Sequence, residues 1–289
     1  MPSWSRVKER PADVVRPLEG ADREAALDLC HVDPVGAVLA GGWVEALGTS
    51  TPAFGEILGA WSGGELVALC WAGANLVPVS PDGRGIASLA TAIRDRGRRC
   101  SSIVGDAPAV LGLWERLGTA WSTPREVRAD QPSMTITADP RVPADPGVRL
   151  GTEADLDVLL PACVAMFTEE YGYSPVSAGG GYEGRVRQLV VQGRSFVRLD
   201  DGPAGRRVAF KAELGAVSLG VAQIQGVWVH PELRGRGVGA AGMAAVVDLA
   251  RQAGAGTMSL YVNAYNTAAR AVYDRVGFTR VGTYATIVF

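Results

Sequence analysis

A glycine- and arginine-rich segment lies between an apolar stretch and an alanine-rich stretch and has the composition of an anion-binding loop. Residues 221–229 (VAQIQGVWV) are rich in β-branched residues, which predicts a strand that ends before Pro231. Residues 234–239 (RGRGVG) follow and lead into a predicted helix over Gly237 to Ala253. The first N–H groups of a helix have no intrahelical acceptor and carry partial positive charge, and glycines let a ligand approach them. These residues therefore predict a phosphate site.

Two common phosphate motifs do not fit this segment. Gly237, Gly239 and Gly242 match G-x-G-x-x-G, but the dinucleotide fold also requires an acid about 20 residues further on. No Asp or Glu occurs between Asp248 and Asp274. The P-loop motif requires a lysine after a glycine, and neither lysine of the chain follows one.

A third pattern fits better. Arg234-x-x-Gly237-x-Gly239 resembles the [Q/R]-x-x-G-x-[G/A] loop of the GNAT superfamily of acyl-CoA N-acyltransferases. Residues 263–278 (NAYNTAARAVYDRVGF) resemble the second signature of that superfamily, N-x-x-A-x-x-x-Y-x-x-x-G-F, with Asn263 and Asn266 at its start and Tyr273 as its tyrosine. Both signatures occur in the expected order and at the expected distance.

The resemblance implies an α/β (α+β) fold of two tandem domains. Each would be a mixed, mostly antiparallel twisted sheet flanked by helices, with a splayed pair of parallel strands at the acyl-CoA site. The implied activity is direct transfer of an acetyl group from acetyl-CoA to a primary amine in a ternary complex. A non-catalytic protein that binds or senses acyl-CoA is the alternative.

The resemblance also implies roles for individual residues. The backbone of residues 227–229 would pair with the pantetheine arm, and the Val229 N–H would face the thioester oxygen. Asn266 would contact the cofactor near the end of that arm, and Tyr273 would protonate the departing thiolate. The expected acetyl-CoA contacts are Val227, Trp228, Val229, Arg234, Gly235, Arg236, Gly237, Val238, Gly239, Ala240, Asn266 and Tyr273.

The general base is not defined by either signature. Gln223 and Gln225 stand on the strand before the loop, and we expect both to share the face of Val227 and Val229. An amide cannot accept the amine proton, so carboxylates elsewhere are the candidates. Glu213 on the preceding strand is the favoured base. The expected contacts with a cationic acceptor are Glu169, Glu170, Tyr171 and Gln225.

Composition excludes several classes of protein. The formal charge of −2 without a basic block disfavours nucleic acid as a partner, and no run of about 18 apolar residues could span a membrane. The polar N-terminus lacks the apolar centre of a signal peptide. Four scattered cysteines and two histidines make a metal site improbable and suggest free thiols in a bacterial cytoplasm. We expect a monomer or homodimer that acts on a small-molecule or peptide amine.

A weak internal repeat divides the chain. Residues 15–30 align without gaps with residues 148–163, and residues 114–118 (WERLG) align with residues 273–277 (YDRVG). The Pro- and Asp-rich residues 139–146 then form a linker between a degenerate domain at 14–138 and a catalytic domain at 147–289, which the last strand closes. In the first domain Asp82 replaces the arginine of the loop motif, so we expect no acetyl-CoA there.

Overall fold

The computed structural model describes residues 14–49, 55–178, 181–202 and 205–289. The start of the chain, from which we expected no signal peptide, lies outside these residues. The chain divides into two compact units. Of the described residues, unit 1 comprises those up to Ser133 together with Val281–Phe289, and unit 2 comprises those from Met134 to Arg280.

Unit 1 contains a mixed sheet with flanking helices. Strands β1 to β4 pair antiparallel in chain order, whereas β4 and β5 run parallel. The elements of the first half are β1 (Val14–Pro17), α1 (Arg23–His31), α2 (Pro34–Glu45), β2 (Glu56–Ser62), β3 (Glu65–Ala72), β4 (Asn75–Val79), α3 (Ile86–Asp95), β5 (Ser102–Asp106), α4 (Ala107–Leu117) and β6 (Glu126–Ile136).

The second half repeats this order of elements. Strands β7 to β10 pair antiparallel in chain order, and β10 and β11 run parallel. The elements are β7 (Arg149–Leu150), α5 (Leu156–Tyr171), α6 (Gly181–Val191), β8 (Ser195–Gly202), β9 (Gly205–Ser218), β10 (Val221–Val229), α7 (Val238–Gln252), β11 (Thr257–Tyr261), α8 (Thr267–Val276) and β12 (Thr279–Val288). The predicted fold class is thus confirmed.

The repeat extends to individual hydrogen bonds. At the start of unit 1, both guanidinium nitrogens of Arg16 donate to Asp22, at 2.6 and 2.8 Å. The equivalent Arg149 donates to Asp155 at 2.7 and 2.9 Å. Each aspartate also accepts the backbone N–H three residues before it, which closes the turn ahead of the first long helix. Two copies of one fold account for this coincidence.

The last strand lies in unit 1, whereas we expected it to close the second domain. Strand β12 pairs antiparallel with β5, and Ala285 and Ile287 join the core of unit 1. Conversely, Met134 and Ile136 at the end of β6 join the core of unit 2. The two units therefore do not coincide with the predicted domains at 14–138 and 147–289. An apolar strand pattern shows which face is buried but not which partner strand covers its edge.

Helix α5 is longer than the sequence predicted. The sequence pattern predicts a helix from about Glu153 to Phe167 and a loop from Thr168 to Pro175, but the helix continues to Tyr171. It ends at Gly172, which has φ +75° and accommodates the left-handed turn that terminates a helix. Glu169 and Glu170 therefore project from the last turn of a helix rather than from a loop.

None of the helices in the described residues is long and apolar enough to cross a bilayer.

Candidate active site

Strands β10 and β11 of unit 2 run side by side for three residues and then diverge. Their register joins residues 221–223 to residues 257–259. Beyond Gln223, β10 continues along β9 as far as Val229, which lies opposite Phe210. One edge of this part of β10 therefore faces a gap between diverging strands, which we call the wedge. It is the splayed parallel pair that the sequence predicted.

The Val229 N–H points into the wedge. The next residue, His230, donates its N–H to the Ala209 carbonyl at 3.0 Å, on the β9 side. Because the backbone groups of successive strand residues point to opposite sides, the N–H and carbonyl of Val229 point away from β9. The carbonyl accepts a hydrogen bond from Arg234 Nε at 3.0 Å.

A bulge reverses the faces of β10, which corrects one prediction. The register between β10 and β9 shifts between Gln225 and Trp228, and Gly226 in the bulge has φ +60°. Before the bulge Ile224 packs towards α7, and after it Val227 and Val229 do so. Gln223 and Gln225 therefore share the face of Trp228, not that of Val227 and Val229 as we expected.

The glycine-rich loop leaves the start of α7 open. Gly235 and Gly237 have φ +74° and +82°, and an added Cβ at either would meet no atom within 4 Å. No side chain caps the helix at Gly237. The Ala240 N–H already donates to the Gly237 carbonyl at 3.1 Å, so the available N–H groups come before it. Uncapped donors beside open space form a suitable cradle for a diphosphate.

Two further glycines have different roles in α7. A Cβ on Gly239 would lie 3.4 Å from Val229 and 3.8 Å from Val272 of α8, which places Gly239 at the mouth of the wedge. A Cβ on Gly242 would lie 2.7 Å from the ring of Phe210, so glycine there lets α7 pack closely on β9.

Arg234 is held by the end of α5. Its Nη2 lies 2.7 Å from Glu169 Oε2, and both side chains are about half exposed. Glu169 Oε1 accepts a second hydrogen bond from Trp228 Nε1 at 3.2 Å. The structure thus places Arg234 between Glu169 and the Val229 carbonyl. The sequence predicted that Arg234 would help to bind the diphosphate. Arg236 belongs to the same loop.

Glu213 forms a buried ion pair. Its Oε1 lies 2.6 Å from Lys211 Nζ, and the side chains are 9% and 0% exposed. Burial lowers the pKa of Lys211, but the interactions with Glu213 and Cys163 together outweigh burial and keep the pKa above its ordinary value. Cys163 Sγ donates to the same oxygen at 3.5 Å, and burial raises the pKa of that thiol to about 11. The Lys211 ammonium and the Cys163 thiol therefore both engage the same oxygen of Glu213 inside the core.

Tyr273 lies on α8 among the core residues of unit 2 and is 7% exposed. Burial raises the pKa of its phenol, and the charge of Glu170 on α5 raises the pKa further. The hydroxyl therefore stays protonated at neutral pH, as a proton donor must. The effect of Glu170 also shows that the end of α5 lies within electrostatic reach of Tyr273.

Asn266 and Tyr171 have structural partners. The Asn266 Oδ1 accepts the Ala269 N–H at 3.1 Å and so caps α8, while the side chain remains exposed. Tyr171 stacks on Phe167 of the same helix, with ring centroids 4.5 Å apart.

Unit 1 has the same loop with different chemistry. Gly83 and Gly85 have φ +82° and +77°, and Gly85 precedes α3 as Gly237 precedes α7. Asp82, however, accepts the Arg84 N–H at 3.0 Å and the Arg84 Nε at 2.6 Å. Its carboxylate therefore occupies a backbone donor that a phosphate would use, and it adds negative charge.

A small cavity of about 20 Å³ lies beside this loop in unit 1. Asp33 and Asp106 line it, and burial, followed by the Asp33 charge, raises the pKa of Asp106. Two acids at this position disfavour an anionic ligand.

The sequence did not indicate the Lys211–Glu213 pair, the contact between Trp228 and Glu169, or the bulge. Only the bulge had a recognisable signal, because an isolated glycine within a strand pattern often marks one.

Comparison with known families agrees with this geometry. Residues 178–278 match the acetyltransferase (GNAT) family, and residues 55–159 match a domain of unknown function, DUF4081. The second half of the chain thus contains an acetyltransferase domain of the GNAT family, and the first half fits a divergent copy.

Among curated proteins, a mycothiol acetyltransferase from Mycobacterium avium (strain 104) is 34% identical over 157 residues. The match covers 48% of this chain and 48% of that protein, so the chain spans about half the length of the curated relatives it matches. The tandem organisation predicted from the sequence is similar to that of mycothiol synthase.

Solved structures show the same fold. An acetyltransferase of the GNAT family from Colwellia psychrerythraea has a TM-score of 0.56 at 14% identity, covering 96% of this chain and 99% of that one. A tandem GNAT protein from the clavulanic acid biosynthesis pathway has a TM-score of 0.55 at 17% identity, covering 95% and 98%. At these identities the likeness establishes the fold alone.

Across residues 14–49, 55–178, 181–202 and 205–289, His, Cys, Asp and Glu side chains form no cluster of three or more that could hold a metal ion.

Proposed function

We propose that unit 2 transfers an acetyl group from acetyl-CoA to a primary amine in a ternary complex. One observation carries the proposal: β10 diverges from β11 and then leads directly into an uncapped, glycine-lined helix start. A free strand edge suits the amides of the pantetheine arm, and the helix start suits a diphosphate. The GNAT family match supports acetyl-CoA as the donor.

The residues around the wedge suit the proton transfers of this reaction. Acetyl-CoA, when bound, supplies a thioester that an amine can attack. In this proposal the Val229 N–H, which points away from β9, donates to the thioester oxygen, and the protonated Tyr273 gives its proton to the leaving sulfur. Hydrogen-bond donors fixed before the reaction stabilise developing negative charge without reorganisation.

The end of α5 is suited to an ammonium group. Glu169 accepts a hydrogen bond from Trp228, and the charge of the adjacent Glu170 contributes to the raised pKa of Tyr273. Carboxylates attract a cationic amine and can accept its proton, directly or through water. Glu213 was the favoured base from sequence, but its ion pair with Lys211 favours the α5 carboxylates, with Glu170 first among them. Tyr171 and Gln225 remain proposed acceptor contacts.

The acceptor is proposed to be a small-molecule amine, since the matched relatives are named as mycothiol acetyltransferases. A peptide amine is the second acceptor to test. The four free, buried cysteines agree with a cytoplasmic setting.

The alternative function is acyl-CoA binding or sensing without turnover. The immobilised Glu213 favours it, whereas the protonated Tyr273 at the wedge opposes it. The two functions are separated by measuring thiol release from acetyl-CoA in the presence of a panel of small amines and of peptides with a free N-terminal amine. Acceptor-dependent release supports transfer. Tight binding of acetyl-CoA with no release for any amine supports sensing.

A further inference from the structure

Arg234 connects the glycine-rich loop with the end of α5. Its Nη2 lies 2.7 Å from Glu169 Oε2, and its Nε donates to the Val229 carbonyl at 3.0 Å. The other oxygen of Glu169 accepts a hydrogen bond from Trp228 Nε1 at 3.2 Å. One chain of contacts therefore joins the carbonyl at the wedge to a carboxylate of α5.

The ion pair of Arg234 and Glu169 is exposed on both sides. The two side chains are 48% and 45% exposed, so water solvates both charges and weakens their attraction. Exposed ion pairs contribute little to stability, and a charged ligand can replace either partner at low cost. The pair is therefore easily exchanged, unlike the buried pair of Lys211 and Glu213.

Each ion of this pair has a second partner in the proposed reaction, so this step rests on the proposed function. Arg234 begins the loop that would hold the diphosphate of the donor, and Glu169 is one of the α5 carboxylates that would hold the ammonium group of the acceptor. A guanidinium group neutralised by a carboxylate adds little net attraction for a phosphate, whereas an unpaired one adds a full positive charge. The same argument applies to Glu169 and an ammonium group.

We propose that the Arg234–Glu169 pair couples the binding of the two substrates. A diphosphate that draws Arg234 away leaves Glu169 as a free carboxylate for the ammonium group. An ammonium group on Glu169 in turn leaves Arg234 to the diphosphate. Each substrate thus strengthens the binding of the other by the same factor, because coupling between two binding sites is reciprocal. Arg234 acts here as a positioning residue, since it affects the acceptor through Glu169.

The test is calorimetric binding of acetyl-CoA to the whole chain without any amine, which requires no knowledge of the acceptor. Salt at about 0.15 M screens exposed charges more than roughly 8 Å apart, so that direct contacts dominate. The decisive variant is Glu169→Gln, because the amide oxygen can still accept from Trp228 Nε1 while the charge opposite Arg234 is lost. The dissociation constant should fall by about two- to fivefold, the value of an exposed ion pair. Loss of a merely structural contact would instead weaken binding.

Two further variants isolate the pair. Glu170→Gln is the matched control, since it removes the same charge from the next residue of α5 and leaves the pair of Arg234 and Glu169 intact. Its effect on the dissociation constant should be clearly smaller than that of Glu169→Gln. In the Arg234→Gln background, Glu169→Gln should no longer tighten binding, because no guanidinium group remains to be released.

The outcomes separate the two proposals. Weaker or unchanged binding in Glu169→Gln overturns the coupling and leaves the acetyl-CoA site intact. The same conclusion follows if Glu170→Gln tightens binding equally, or if the tightening persists in the Arg234→Gln background. Absence of acetyl-CoA binding to the folded parent protein overturns the proposed function, and the coupling falls with it.

Discussion

At the scale of single residues, Tyr273 makes the most specific chemical prediction. Its phenol is buried, its pKa is raised by burial and then by Glu170, and it lies on the helix that borders the wedge. Tyr273→Phe should preserve acetyl-CoA binding and lower kcat by roughly 10²–10⁴-fold, the range for a positioned general acid. Steady-state kinetics with a competent acceptor and calorimetry with acetyl-CoA check both parts. A fall of less than twofold in kcat would limit Tyr273 to packing.

The same residue predicts a feature of the pH profile. Because the pKa of Tyr273 lies above the ordinary tyrosine value of about 10, the hydroxyl keeps its proton throughout the neutral and mildly alkaline range. Below about pH 10, any decrease in rate with rising pH should therefore be the same in the parent enzyme and in Tyr273→Phe. A loss near pH 8 that only the parent shows would contradict this assignment.

Glu213 and the α5 carboxylates make opposite predictions. Glu213→Gln leaves Lys211 as a buried charge without its counter-ion and should lower the free energy of unfolding by about 3 kcal/mol. Glu170→Gln should instead lower kcat/KM most at neutral pH, with partial recovery at higher pH, where more of the amine is neutral. Denaturant unfolding measures the effect of these two variants and of Glu169→Gln on stability. The pH dependence of their kinetics measures the effect on catalysis. A stable, inactive Glu213→Gln with a fully active Glu170→Gln would restore Glu213 as the base.

At the scale of elements, the two repeated arginine–aspartate pairs can be compared directly. The Arg149 and Arg16 guanidinium groups hold the pKa of Asp155 and Asp22 below the ordinary value. A folded-state pKa below the unfolded one contributes stability at pH above about 4 that is lost as the pH falls further. Asp155→Asn and Asp22→Asn should each cost about 2 kcal/mol at pH 7 and less at pH 2, because the contribution shrinks as the pH falls from about 4 towards the lowered folded-state pKa. Hydrogen exchange mapped by peptide should assign each loss of stability to the unit that contains the substitution. Equal losses of stability at pH 7 and pH 2 would contradict an origin in the arginine–aspartate pairs.

The last strand should stabilise unit 1. Tyr284 is 1% exposed, and its hydroxyl lies 2.7 Å from the Val35 carbonyl and 3.2 Å from the Gly36 carbonyl, both in α2. Tyr284→Ala removes a large buried side chain and should cost about 3–4 kcal/mol. The control is Val281→Ala on the same strand, where the side chain is 57% exposed. Increased hydrogen exchange should appear in the peptides of unit 1, and an effect no larger than that of the control would exclude this role for β12.

The sequence predicted the elements that depend on local patterns. The two signatures and the repeat were read from residue spacing, because glycine positions and apolar periodicity are local properties. The wedge was expected from the family resemblance that the two signatures carry. The prediction that Gln223 and Gln225 share the face of Val227 and Val229 was wrong, since a one-residue bulge at Gly226 reverses the face of every side chain beyond it. The ion pair of Lys211 and the placement of β12 depend on which strands meet, which spacing does not determine.

At the scale of the whole molecule, two copies of one fold differ in chemistry at the same loop. In unit 2 Arg234 and Arg236 accompany the open start of α7, whereas in unit 1 Asp82 occupies a loop N–H and two more acids line the nearby cavity. We propose that only unit 2 binds acetyl-CoA and that unit 1 is a structural or substrate-shaping copy.

Titration calorimetry with acetyl-CoA tests this central proposal most directly. Gly239→Trp places a bulky side chain between Val229 and Val272, at the mouth of the wedge, where a Cβ itself meets only ordinary contacts. Ala87→Trp is the matched control, since Ala87 holds the same place in the loop motif of unit 1. We predict one acetyl-CoA per chain in the parent and in Ala87→Trp, and binding largely lost in folded Gly239→Trp. Two molecules per chain, or unchanged affinity in Gly239→Trp, would contradict a single acetyl-CoA site in unit 2.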